Sequence, residues 1–284
     1  MCVMYSEKQM AIPTAILTPD AILASPVVAD SLAEAAAQEP NGVYTVARTF
    51  KRDHTLMLDE HLDRLEQSAA LVGLDVHLDR AALRNALRML IAQTDFEDSR
   101  FRITIPQETP ERIYLAIERY KPVPPEILAG GARCITVQIE RHNPAAKTTA
   151  WIAERQATVE AFPTGIYEGI LVNEAGDLLE GTSSNFYAIM NDRLYTAPNG
   201  AALGGIAQRI VLAVAPQVLP VERTAVNVND LRFLEEAFIT SAGRGVVPVI
   251  MLDGQVIAAG QPGPFTLAIQ ERYNAWADAH LEPL

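Results

Sequence analysis

At 284 residues the chain exceeds one ordinary domain, and 49% apolar residues are ample for packed cores, which excludes a disordered chain. A net charge of -12 argues against nucleic acid or an anionic membrane surface as partner, while a local arginine cluster can still take a small anion. Cys2 and Cys134 are too few for a disulfide framework, no run of about 18 uncharged apolar residues occurs, and Glu7 and Lys8 interrupt the N-terminal apolar stretch, so a cytoplasmic protein without signal peptide or membrane span is expected.

Residues 42–50 (GVYTVARTF) are rich in β-formers and read as a strand, with a short second one at Thr55–Leu58. Leu58, Leu62, Leu65, Ala69 and Val72 recur at three and four residues, the stripe of an amphipathic helix. Asp79 is placed to cap a second helix whose inner face holds Leu83, Leu87 and Leu90. Phe101–Ile105 and Arg112–Ile117 alternate as strands around a hairpin over Gln107–Glu111. The segment 119–132 (RYKPVPPEILAGGA) has three prolines within four residues and then a glycine pair, and reads as a linker.

Beyond it, strands are expected at Cys134–Ile139, Tyr167–Asn173, Phe186–Met190, Arg193–Thr196 and Ala237–Ile239. Helices are expected at Thr148–Ala161, Ile206–Ala215 and Phe265–Ala279. Asp253–Gly254, between Val249–Leu252 and Gln255–Ile257, is a two-residue hairpin signal. The expected architecture is two α/β (α+β) domains sharing a cleft: a small one over 1–122, a linker over 123–131 and a large one over 132–284.

Lys147 follows His142-Asn143-Pro144-Ala145-Ala146 between a strand and a helix, with no acidic residue within four positions. An amine in such a setting can be neutral enough to attack an aldehyde if it is partly desolvated or close to other cations. Glu180 ends a short apolar strand in DLLEGTSSNF, where Asn185 can fix its orientation and where it can pair with a protonated pyridine nitrogen. Arg64, in HLDRLEQSA, has the fork geometry that suits a phosphate dianion; a surface pair with Glu60 or Asp63 is its plainer fate. Gly204-Gly205 before a helix leaves the backbone amides of the first turn open to a phosphate, and Thr240-Ser241-Ala242-Gly243 after a strand adds further amides and hydroxyls. No metal site is expected.

These pieces, in order, resemble the fold-type IV pyridoxal-phosphate family, which holds branched-chain aminotransferases, D-amino-acid aminotransferases and aminodeoxychorismate lyases. GVYTVARTF, HLDRLEQSA and PAAK come first, then YEGILVNEAGDLLEGTSSNFYAI, LYTAP, LGGIAQRIV, LEEAFITSAGRGVVPV and GPFTLAI. The resemblance runs from about Gly42 to the end and is most specific over residues 167–189. It implies pyridoxal 5'-phosphate as cofactor, Lys147 as the Schiff-base and proton-shuttling lysine, and Glu180, steadied by Asn185, at the pyridine nitrogen. It implies that Arg64, the amides of Gly205, Ile206 and Ala207, and the Ser241–Ala242 turn hold the 5'-phosphate. Tyr44, Arg48, Arg102, Arg244 and the Ala242–Gly243 amides become the substrate-side candidates, and a homodimer is implied.

Three departures matter. The family's G-I-T-R at the phosphate helix is here Gly205-Ile206-Ala207-Gln208, and the later phosphate-side Thr is Ala242, so two hydroxyl donors are missing and weaker cofactor retention is expected. Thr45 stands where many of these aminotransferases carry Glu. The Arg-x-His carboxylate trap of the D-amino-acid enzymes is absent from Ile105-Pro106-Gln107-Glu108, which disfavours D-specificity of that type. The expected reaction is transfer of an amino group between an L-branched-chain or similar amino acid and a 2-oxo acid. A lyase releasing pyruvate from an aminated chorismate is the alternative, because Thr45-Val46-Ala47-Arg48 also resembles those enzymes; a degenerate cofactor-binding relative is a third.

Overall fold

The computed structural model describes residues 11–139 and 141–284. The first layer is built from β1 (Thr14–Leu17), β2 (Ile22–Ala24), α1 (Leu32–Gln38), β3 (Gly42–Phe50), β4 (His54–Leu56), α2 (Leu58–Leu71), α3 (Arg80–Ala92), β5 (Ser99–Pro106) and β6 (Ile113–Arg119). Leu58, Leu62, Leu65 and Ala69 of α2 and Leu83, Leu87 and Leu90 of α3 form one core with Phe101, Ile103 and Ile105 of β5. That is the stripe read from the sequence, and Asp79 caps α3 by accepting the Ala82 N–H at 2.9 Å.

The prolines of the expected linker do not leave it extended. Pro125 occupies the first turn of α4 (Pro125–Gly130), where a missing N–H costs nothing, and Gly131 at φ +84° ends the helix. The second layer follows with β7 (Ala132–Val137), α5 (Ala150–Glu160), β8 (Glu168–Val172), β9 (Leu178–Gly181), β10 (Asn185–Met190), β11 (Arg193–Thr196) and α6 (Ile206–Val214). It ends with β12 (Val221–Glu222), β13 (Glu236–Ser241), β14 (Gly245–Leu252), β15 (Gln255–Val256), α7 (Pro264–Ala279) and β16 (Leu281–Pro283). Asp253 (φ +51°) and Gly254 (φ +77°) make the tight hairpin turn expected between β14 and β15.

Among the described residues the strands form two sheets, ordered β16-β4-β3-β5-β6-β1-β2 and β12-β11-β10-β13-β14-β7-β8-β9. The last strand, β16, pairs with β4, so the chain's final residues return to the first sheet. In the second sheet β9 also pairs with β10 through Glu180 opposite Asn185, so β10-β13-β14-β7-β8-β9 closes on itself. Alternation along β10 sorts its side chains: Phe186 and Ala188 join one core with Ile170 and Val247, while Tyr187 and Ile189 join another with α6 and α7. Tyr187 stacks on Phe238 with ring centroids 4.5 Å apart. No helix among the described residues is long and apolar enough to cross a membrane.

Candidate active site

The segment carrying Lys147 has little regular structure of its own and is held by its neighbours. Tyr44 N–H donates to Lys147 O at 3.0 Å and Thr149 N–H donates to Gly42 O at 2.8 Å, so the loop lies along β3. From the other side Ser68 Oγ accepts the Lys147 N–H at 3.1 Å and donates to Arg64 O at 2.8 Å. With both backbone groups of the lysine fixed, Nζ sits 4.7 Å from the centroid of the Tyr44 ring. Burial lowers the Lys147 amine to about 8; the Arg64, Arg141 and Arg155 charges push the same way and Tyr44 opposes them. An amine so placed is partly neutral near physiological pH, which is the state that adds to a carbonyl carbon. Burial pushes the Tyr44 phenol up, but the charges of Lys147, Arg155, Arg102 and Arg141 outweigh it and bring the group to about 8.

Glu180 is 3% exposed. Its Oε1 accepts from Arg141 Nη1 at 2.9 Å and its Oε2 from the Leu203 N–H at 3.1 Å. Burial raises this carboxyl above its ordinary value, and those two donors hold the rise in check. Arg141 Nη2 also donates to Ala146 O at 2.8 Å, so one guanidinium ties the lysine loop to Glu180. Asn185 acts on Glu180 indirectly: its Nδ2 donates to Leu203 O at 2.8 Å, steadying the residue whose N–H reaches the carboxylate. Asn185 and Glu180 sit opposite each other across β9 and β10, and both meet Leu203, the one through its carbonyl and the other through its N–H.

Arg64 turns away from Glu60 and Asp63 and is buried, 6% exposed. Nη1 donates to Gly204 O at 3.3 Å and Nη2 to Thr45 Oγ1 at 3.2 Å, while Nε is buried with no acceptor among the described residues. Burial lowers its pKa to about 10, and it remains a cation at neutral pH. Gly205, in extended conformation, caps α6, whose first turn presents the free N–H groups of Ile206 and Ala207. A Cβ on Gly205 would collide with Asn185 Oδ1, so the close approach needs glycine.

The substrate-side arginines meet different fates. Arg100 and Arg102 share one face of β5, as period two requires, and both line the cleft. Arg102 lies 4.0 Å over the Tyr44 ring and pairs with buried Glu39 at 2.9 Å, leaving Nη2 without an acceptor among the described residues. Arg48 lies outside the cleft, its guanidinium 3.9 Å over Phe50 and 4.2 Å over Tyr120, beside a small pocket lined by His61, Ala207 and Ala242. Arg244 is spoken for: Nη1 pairs with Glu168 at 2.9 Å, Nη2 donates to Ser183 O at 3.0 Å and Oγ at 2.9 Å, and Nε to Ser241 Oγ at 2.9 Å. Its fork joins two cleft-lining turns instead of standing free for a substrate carboxylate. Gly243 O accepts from Tyr120 Oη at 2.9 Å.

Every candidate except Arg48 lines one cleft of about 390 Å³. The residues fit pyridoxal phosphate on their own chemistry: an amine lowered by burial, a buried carboxylate, and an orphaned arginine nitrogen beside an open helix start. Sequence reasoning missed Arg141, Ser68, His61 and Glu168. His61 and Ser68 fall on the apolar stripe of α2, and polar residues on such a stripe are the available signal. Glu168 and Arg141 give none, since their partners Arg244 and Glu180 are distant in sequence. No cluster of His, Cys, Asp or Glu suited to a metal occurs among the described residues.

The profile of the family described as amino-transferase class IV matches residues 42–251. The chain is 30% identical over 255 residues to the D-alanine aminotransferase of Bacillus licheniformis, covering 81% of this chain and 85% of that one. It is 24% identical over 247 residues to the branched-chain-amino-acid aminotransferase of Pseudomonas aeruginosa, covering 79% and 80%. Its fold is similar to a branched-chain amino acid aminotransferase from T.th. solved with pyridoxamine 5'-phosphate, at TM-score 0.79 and 20% identity over 96% of this chain and 99% of that one. These relatives are aminotransferases, which favours transamination over the pyruvate-releasing alternative. The chain belongs to the class IV aminotransferase family, with its fold-type IV architecture, and is a pyridoxal-phosphate enzyme that moves an amino group between an amino acid and a 2-oxo acid.

Proposed function

We propose that Lys147 is the catalytic lysine of this aminotransferase, the amine that would hold the cofactor aldehyde as a Schiff base and would carry the proton at the substrate Cα. The observation that carries this reading is that a buried amine lowered to about 8 faces the same cleft as Glu180, with Arg141 tying the two together. Bound pyridoxal phosphate supplies an aldehyde that takes the amino group and a ring that withdraws electrons from Cα. Glu180 would hold the pyridine nitrogen protonated. Arg64 and the amides of Gly205, Ile206 and Ala207 take the phosphate, with the Ser241–Ala242 turn beside them.

On the substrate side, Tyr44, Arg102 and the Ala242–Gly243 amides receive the carboxylate, and Arg244 acts by fixing the turn that presents those amides. The favoured substrate is an L-branched-chain or similar amino acid, supported by the missing Arg-x-His pair over Ile105–Glu108. The reading includes a cytoplasmic homodimer. It also divides the chain into a small domain before residue 123 and a large one after residue 131.

Adding single L- and D-amino acids to the protein reconstituted with pyridoxal phosphate tests this through the visible spectrum. Conversion of the cofactor to its pyridoxamine form by L-branched-chain amino acids, and its loss in Lys147→Ala, is the expected result. A Lys147→Ala protein that still turns over would remove the assignment, and conversion by D-amino acids alone would reverse the stereochemical part.

A further inference from the structure

Arg64 is held from behind by two buried side chains that nothing in the reaction itself requires. Arg64 Nη2 donates to Thr45 Oγ1 at 3.2 Å, and the same oxygen lies 2.8 Å from His61 Nδ1. Thr45 is fully buried and His61 1% exposed, so water does not complete the arrangement from outside. The protons can be assigned by counting. A guanidinium only donates, and a threonine hydroxyl has a single proton to give. Thr45 Oγ1 therefore accepts from Arg64 and hands its proton to His61, the only acceptor in reach among the described residues. Nδ1 must then be unprotonated, which places the imidazole proton on Nε2.

The reverse arrangement, with His61 Nδ1 donating, would leave the Thr45 proton buried without an acceptor, a loss of about 1–3 kcal/mol. The neighbours agree with a neutral ring. Burial, then the charges of Arg64, Lys147 and Arg209, hold His61 well below its ordinary value. The placement comes from two periodicities. Tyr44 and Thr45 point to opposite faces of β3, so the tyrosine meets the cleft while the threonine meets α2; His61 and Arg64, three residues apart, share that face of the helix.

We propose that Thr45 and His61 are positioning residues for the cofactor phosphate, a directed hydrogen-bond chain that fixes the Arg64 guanidinium with its unpaired Nε toward the phosphate end of the cleft. This rests on the reading of Arg64 as the phosphate ligand. The chain also explains how a threonine serves at position 45: its hydroxyl is the one group there that can accept from arginine and donate to histidine at once.

The test compares pyridoxal phosphate with pyridoxal, which lacks the phosphate, by titrating each into the full protein and its Thr45→Val, Thr45→Ser, His61→Asn, His61→Leu and Arg64→Met variants. Thermal unfolding of each variant is recorded alongside. Thr45→Val and His61→Leu are expected to weaken pyridoxal phosphate about tenfold and leave pyridoxal unchanged, because the first removes the acceptor of Arg64 Nη2 and the second the group that directs the Thr45 hydroxyl. Thr45→Ser keeps the hydroxyl, and His61→Asn keeps an acceptor near the Nδ1 position, so both retain the preference. Equal weakening of both ligands, or an unchanged preference in Thr45→Val and His61→Leu while Arg64→Met loses it, would overturn the chain but leave Arg64 as the phosphate ligand. An unchanged preference in Arg64→Met would remove the phosphate assignment itself, and the chain with it.

Discussion

Among the arginine–carboxylate pairs beside the cleft, Arg244–Glu168 and Arg141–Glu180 are built differently. In Arg244–Glu168 nothing is left over. The guanidinium donates to Glu168, Ser183 and Ser241, and the carboxylate takes Arg244 together with the hydroxyls of Thr182, Ser183 and Ser184. Burial works against the Glu168 charge, but Arg244 and these donors prevail and hold its pKa below the ordinary value. In Arg141–Glu180 the carboxylate has two donors, its pKa is raised, and Arg141 Nε has no acceptor among the described residues. A saturated pair is a clamp. A pair with capacity to spare can take on another charged partner, and this one stands beside the lysine.

Removing each acid in turn separates the two pairs. Glu180→Gln keeps the shape but removes the charge that would hold a pyridine nitrogen protonated, and kcat is expected to fall on the order of a hundredfold or more while the protein stays folded. Glu168→Ala leaves the half-buried Arg244 charge without its carboxylate, a cost of about 1–3 kcal/mol seen as a fall in Tm. Measuring both quantities on both variants decides the matter: if Glu180→Gln loses mainly stability and Glu168→Ala mainly turnover, the two pairs have been assigned the wrong way round.

Acid titration distinguishes the two carboxylates further. A lowered carboxyl contributes stability that is complete above its ordinary value near 4.5 and is lost as the pH falls through its lower native value. A raised one does the reverse: folding with the charge buried is disfavoured, and acid relieves that as the pH falls through the native value. Glu168→Gln should therefore flatten the loss of Tm on acidification, and Glu180→Gln should steepen it. Identical acid limbs in the two variants would contradict the distinction.

What the sequence shows of these pairs differs for a physical reason. The stripe of α2, the cap of α3 and the Asp253–Gly254 turn are local, and each is decided by residues within a few positions of one another. The glutamates are another matter. Glu180 stands out because a specific motif surrounds it, whereas Glu168 lies in the same segment and its partner Arg244 is 76 residues away. Arg141 follows β7 and Glu180 lies on β9, which meet through β8 in the second sheet, and no periodicity encodes that. Buried ion pairs are thus the least readable part of the site. A charge can be picked from a sequence, but not whether its hydrogen bonds are already taken.

Lys147 carries the next expectation in size. Only the neutral amine adds to an aldehyde, and its fraction rises with pH through about 8, where an ordinary lysine would wait until 10.5. The rate at which added pyridoxal phosphate becomes covalently attached should climb between roughly pH 7 and pH 9 and level off above. A rate still rising at pH 10 would mean that the pocket does not lower the amine. Arg141→Met removes one of the cations beside Lys147, so the inflection should move upward from its wild-type position.

The smallest effect concerns the phosphate end, where the helix start and Arg64 act without a hydroxyl at Ala207 or Ala242. Both alanines border the small pocket beside His61, whose free space of about 10 Å³ is close to that of one water. Ala207 is 1% exposed, so a threonine there would crowd Ile210 and the first turn of α6, and strain would offset any new hydrogen bond. Ala242 is half-buried in a turn and has room to adjust. Ala242→Thr is therefore expected to slow cofactor loss during dialysis roughly fivefold, the worth of about 1 kcal/mol of hydrogen bonding, and Ala207→Thr to give no gain. If neither variant retains the cofactor longer, the amides of Ile206 and Ala207 with Arg64 already satisfy the phosphate, and the missing hydroxyls cost this enzyme nothing.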